Sequence, residues 1–167
     1  MIIDSHTYCF KSGNDSNDYK NQIEHLAWIQ QANAQHHQPA IKISDRRPNE
    51  NNGLSSKQNN LSNLPKVNFR IDNKTGRVLW DFNNETFTKY YYPPNLLNLE
   101  FSAYSLISEM DYAGIDIAIL HTNPSLGKSN EFQAECIKIF PDRLLSMASV
   151  DEWLIEKQTE HIIEKTI

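Results

Sequence analysis

Basic charge is scarce in this chain. Its 167 residues carry 16 Lys plus Arg against 21 Asp plus Glu, a net charge of −5. A surface for nucleic acid or an anionic membrane needs clustered positive charge, and the one basic cluster, Asp45-Arg46-Arg47, is too short to supply it. Long apolar runs are missing too. The longest, Ile115 to Leu120, is interrupted by Asp116 and falls far short of a membrane span. Cysteine is limited to Cys9 and Cys136, and Met1-Ile2-Ile3 has neither the basic nor the long apolar segment of a signal peptide. There are only five glycines, with no glycine-rich phosphate loop among them. These absences lead to the expectation of a cytoplasmic protein with two free thiols and no nucleic-acid or membrane partner.

What is present is periodic at both ends and polar in the middle. Ile2 to Asp4 reads as a short strand. Tyr19, Ile23, Leu26 and Ala27 recur at helical spacing and predict a helix over 17–34. Residues 44–65 are rich in Asn, Ser, Gln and Arg and predict a polar surface loop. Alternating residues on both sides of Asp72-Asn73-Lys74-Thr75-Gly76 predict a β-hairpin over 67–81. Ala103, Leu106, Ile107 and Met110 share a helix face, with Gly114 at the C-cap position. The β-branched run to Leu120 then suits a parallel strand covered on both faces. Ser129 is placed to cap a helix bearing Phe132, Cys136, Ile137 and Phe140, which Pro141 stops. Leu144 to Val150 is the next strand, and Trp153, Leu154, Ile162 and Ile163 suggest a last helix.

The order is strand, long insertion, helix, strand, helix, strand, helix. That alternation implies an α/β fold with a parallel sheet. From the residues alone it is either a small open sheet or the first part of a β/α barrel. The chain is too short to close such a barrel, which needs eight strands and roughly 250 residues.

The chemistry-bearing residues gather at predicted strand ends. Alternation along the first strand puts Asp4, His6 and Tyr8 on one face. A second histidine at position 8 would make a two-imidazole metal grip, but the residue there is Tyr8. His6 is therefore either a metal ligand or a hydrogen-bonded strand-end histidine. His121 ends the second strand and either faces a substrate or bonds the Thr122-Asn123-Pro124 turn. Asp151 follows the third strand and either orients a group in a site or caps the last helix. His36 and His37 point apart and read as a surface helix end, and Cys136 reads as core. Trp80 and Tyr90 to Tyr92 fit either a lid or a packed edge of the insertion.

Three stretches together carry a resemblance: Ile2-Ile3-Asp4-Ser5-His6, LISEMDYAGIDIAIL at 106–120 and FQAECIKIFPDRLLSMASVD at 132–151. In this order and spacing they resemble the N-terminal part of the amidohydrolase superfamily. The nearest branch is that of the aminocarboxymuconate-semialdehyde decarboxylase-like, predicted TIM-barrel metal-dependent hydrolases. The resemblance implies a single incomplete barrel domain over 1–167. It would hold about the first three parallel strands with their helices, and an insertion over 12–100 after the first strand. It implies a hydrolase or non-oxidative decarboxylase acting on a small organic substrate through a divalent metal, zinc above all. His6 matches a metal ligand, Tyr8 stands at the place of the second histidine, and His121 and Asp151 are substrate-facing candidates. One histidine falls short of the several ligands such a metal needs, so the expectation for this chain alone is little or no activity. The alternative is a non-catalytic partial barrel that works by self-association or with a complementary chain, or a small α/β binding domain.

Overall fold

The computed structural model describes residues 1–54, 61–93 and 96–149. Asp151 and the predicted last helix lie outside the described residues. The fold is mixed α/β, and the chain divides into two compact units. The first comprises Met1–Phe10, Phe101–Asn123 and the chain from Lys128 on; the second comprises Lys11–Glu100 with Pro124–Gly127.

The first unit is built on a parallel sheet of three strands, β1 (Ile3–Thr7), β6 (Ile117–Leu120) and β7 (Leu144–Ser146), in the order β1-β6-β7. Helix α2 (Ala103–Ala113) leads into β6 and α3 (Asn130–Ile139) into β7. Ser102 caps α2 through its hydroxyl, which accepts from the Ser105 N–H. Gly114 ends it in the left-handed region at φ 71°, and the Ile115 N–H turns back to the Met110 carbonyl at 2.8 Å. The predicted face of α2 is the buried one: Ala103, Leu106 and Met110 pack with Ala118, Leu120 and Leu144 from the sheet and with Cys9 and Cys136. Each large apolar side chain buried there stabilises by roughly 1.5–3 kcal/mol. The Cys136 thiol beside it and burial both push the Cys9 thiol well above its usual pKa, so this pair belongs to the core. Arg143 holds the turn before β6 in place. Its guanidinium donates to the Asp116 carbonyl at 2.7 Å, the Ile115 carbonyl at 3.0 Å and the Asp111 carboxylate at 2.7 Å. The expected cap of α3 is corrected in one respect. Ser129 stands at the N-cap, but at φ 47° its side chain makes no capping bond.

The second unit contains α1 (Gln22–Gln35) and an antiparallel sheet of four strands. These are β2 (Ile41–Lys42), β3 (Arg70–Ile71), β4 (Val78–Phe82) and β5 (Glu85–Thr88), in the order β2-β5-β4-β3. The hairpin expected around 72–76 is the β3–β4 pair, with Gly76 at φ 65° in its turn. It is one part of a larger sheet. The Asn83-Asn84 dipeptide, with φ 51° and 61°, turns β4 directly into β5.

Helix α1 begins five residues later than the predicted 17–34. Asn17 and Asp18 adopt φ 48° and 65°, which no helix tolerates, and Asn21 caps the helix by accepting from the Glu24 N–H at 3.0 Å. The expected apolar face is also corrected. Ile23 is 79% exposed, whereas His25, Ile29, Gln30, Asn33 and Ala34 are buried. The buried polar side chains each reach at least one backbone carbonyl. Gln30 donates to the Pro65 carbonyl, Asn33 to Ile29, and the His25 ring faces the Asp15 and Ser125 carbonyls at 2.9 and 3.2 Å.

The core of this unit centres on Trp80, fully buried between Phe69 and Phe87, with its indole N–H on the Asn52 carbonyl at 2.7 Å. Trp80 is thus a core residue and forms no lid. The described part of the polar segment 44–65 differs from a plain surface loop for the same reason. Leu54 is buried, and the Asn52 side chain pins the backbone around it by bonding the Asn49 and Glu50 carbonyls and the Leu54 N–H. Among the described residues no helix is long and apolar enough to cross a membrane.

Candidate functional site

In the first unit, chemistry converges at the carboxyl end of the parallel strands, where α/β sheets place their ligands. The convergence depends on an irregularity in β1. Asp4 stands opposite Ala118, but Thr7 stands opposite Leu120, so three steps along β1 match two along β6. Ala118 and Leu120 both face the buried side. The extra residue reverses the alternation, and His6 therefore leaves the face of Asp4 and joins that of Ile119 and His121. Strict alternation, which put Asp4 and His6 together, misses this.

The result is a cluster of three rings. His6 and His121 stack with centroids 4.1 Å apart and planes 18° apart. The Tyr8 hydroxyl lies 2.6 Å from His6 Nε2, and the two rings meet edge-on at 5.2 Å. His6 is exposed and Tyr8 half-buried, so the cluster is open to solvent on one side. His121 is fixed from three directions. Its backbone N–H donates to the Thr7 carbonyl at 2.8 Å, and its ring Nε2 donates to the Ser5 carbonyl at 2.9 Å. Its own carbonyl accepts from the Gln133 side chain at 2.7 Å. The ring bond selects the tautomer: with the proton on Nε2, His121 Nδ1 keeps its lone pair. The partner is Ser5 of the neighbouring strand rather than the turn at 122–124.

The sequence candidates divide accordingly. His6, Tyr8 and His121 come together, and Asp151 lies outside the described residues. Gln133 was passed over. It is 1% exposed and bonds both the His121 carbonyl and the Ser146 hydroxyl, locking β6 and β7 at the site. The signal for it was a glutamine between Phe132 and Cys136 on an otherwise apolar helix face.

As a divalent-metal site the cluster offers an incomplete donor set. Two imidazoles and a phenol are present, and His6 Nε2 is already engaged by Tyr8. Among the described residues no group of three or more His, Cys, Asp or Glu is disposed to hold a metal. A catalytic zinc ordinarily takes three protein ligands, and these residues fall short of that. What the arrangement can do unaided is bind a polar group and move a proton. The Tyr8–His6 bond couples a hydroxyl to an imidazole, and His121 presents a fixed acceptor nitrogen beside them. No family model, no curated protein and no solved structure matches the chain.

Proposed function

We propose that the carboxyl end of β1 and β6 is the substrate end of a hydrolase- or carboxy-lyase-type site of the amidohydrolase kind, acting on a small organic molecule. On this reading the three-stranded sheet is the start of a β/α barrel of that superfamily. The observation that carries it is the stacked His6–His121 pair with Tyr8 bonded to His6, assembled from two adjacent parallel strands by a bulge. Bulges of this kind are concentrated beside active sites, where they re-aim a side chain.

His6 is the metal ligand in this reading, by the match of its motif, with zinc the first choice. The described donors are too few to hold the ion, so the roles assigned here are those of the protein groups. His121, held by Ser5, accepts a hydrogen bond from the substrate at Nδ1. The Tyr8 hydroxyl orients the His6 ring through their 2.6 Å contact.

The test is zinc content after dialysis, with hydrolysis of esters and lactams and decarboxylation of aromatic acids assayed with and without zinc. Wild type is expected to turn over one substrate class weakly, with loss of about tenfold or more in His6→Ala and His121→Ala. Equal retention and turnover in all three proteins would defeat the proposal.

A second reading, association through the sheet, is favoured by a separate observation. Ile3, Ile119 and Leu145 form an apolar stretch on the face that carries His6 and His121, and Ile3 and Leu145 are 47% and 50% exposed. Such a face suits a second copy or a complementary chain.

A further inference from the structure

The second unit contains a cavity of about 440 Å³ lined by the segment after α1 (His36, His37, Gln38), by Glu50 and Asn52, and by Lys89 at the end of β5. Its size suits a small organic ligand. Lys89 is 8% exposed, unusual for a lysine. Its ammonium donates to the Asn33 carbonyl at 2.5 Å and the His36 carbonyl at 2.7 Å. These are carbonyls at the negative end of α1, and they account for two of its three N–H groups. Among the described residues no carboxylate pairs with it. Buried charges are ordinarily paired, and this one has only neutral partners.

The surrounding wall adds a hydrogen-bond donor. His36 Nδ1 accepts from the Gln38 N–H at 3.3 Å, which puts the ring proton on Nε2 as a further donor. His37 lies against His36 with centroids 4.3 Å apart. Burial, His37 and Lys89 together hold His36 below the usual imidazole pKa, so its ring offers a neutral N–H donor. Among the described residues Glu50 is the single carboxylate in the lining. Among the described residues Gln38 Oε1 is buried without a partner, an acceptor for a donor group carried beside the ligand's anionic end.

We infer that this cavity binds a small oxyanion-bearing molecule, a carboxylate or a phosphate, whose oxygen takes the third N–H of Lys89. A charge-assisted bond to a desolvated ammonium is among the stronger hydrogen bonds available, and it would supply the counter-charge that Lys89 lacks. The site is independent of the His6 cluster and does not rest on the proposed enzymatic reading.

The test is an amide NMR titration of the full chain with inorganic phosphate and, separately, with acetate. Saturable shifts are expected at residues 34–40 and 48–52, and the probe that saturates at lower concentration identifies the oxyanion class. Lys89→Met is expected to weaken that binding by about tenfold or more and Lys89→Arg to retain most of it. Because Lys89 also tethers α1, His37→Ala, at an exposed position, provides a variant that leaves the tether intact; a loss of about threefold is expected there. Absence of saturable shifts with both probes, or unchanged affinity in Lys89→Met or His37→Ala, would overturn the inference.

Discussion

At the scale of single residues, His25 shows how one buried ring makes stability depend on pH. Both of its nitrogens face backbone carbonyls, so a neutral ring can donate through only one of them. Burial is the largest influence and holds the ring below its ordinary 6.5, with the Asp15 and Ser125 carbonyls opposing it. Below 6.5 the unfolded chain therefore binds more protons than the folded one. The contribution is complete above that value and is lost as pH falls toward the depressed folded value. The urea midpoint of wild type should fall between about pH 7.5 and 5.5, and that of His25→Asn should fall less. Parallel declines would show that His25 is not responsible. None of this could be read from a periodic pattern. His25 sits on the polar side of the helix that Ile23 and Leu26 suggested, and only its distant carbonyl partners turn it inward.

Elements differ in how openly they declare themselves. Helix α2 was legible because the spacing of its apolar residues and Gly114 agree with one another. Strands β2 and β5 were not, because two to four residues carry too little pattern, although Asn83-Asn84 between Phe82 and Glu85 was a usable hairpin signal. The bulge in β1 left no mark in the sequence, since it is a matter of register against β6 and not of composition. That is why the residues of the candidate site could be named while their shared face could not. Two glycines let the element scale be tested. A Cβ on Gly114 would meet nothing within 4 Å, so Gly114→Ala should cost only the left-handed backbone, about 1 kcal/mol. A Cβ on Gly76 would overlap the Leu96 carbonyl, so Gly76→Ala should cost several times more, of order 3 kcal/mol or above. Chemical denaturation of the two variants side by side decides this, and equal costs would contradict the packing described around the β3–β4 turn.

For the molecule as a whole, the parallel sheet raises the matter of its half-exposed side. Helices α2 and α3 cover the face of Ala118, Leu120 and Leu144, while Ile3 and Leu145 stand half-exposed on the other. Self-association is the expected outcome. Sedimentation equilibrium of wild type should show oligomers that Leu145→Lys reduces by about tenfold in affinity, because a lysine there must give up its hydration to be covered. A wild-type chain that remains monomeric at high concentration would remove this reading. The sheet also has a calendar. Ile3 pairs with Ile117, and nearly the whole of the second unit is encoded between them. At ordinary translation speeds of roughly 5–20 residues per second, β1 leaves the ribosome about 6–23 seconds before its partner does. During that interval the first strand waits with an unpaired edge while α1 and the antiparallel sheet take shape, so the site at His6 is among the last parts of the protein to come into being.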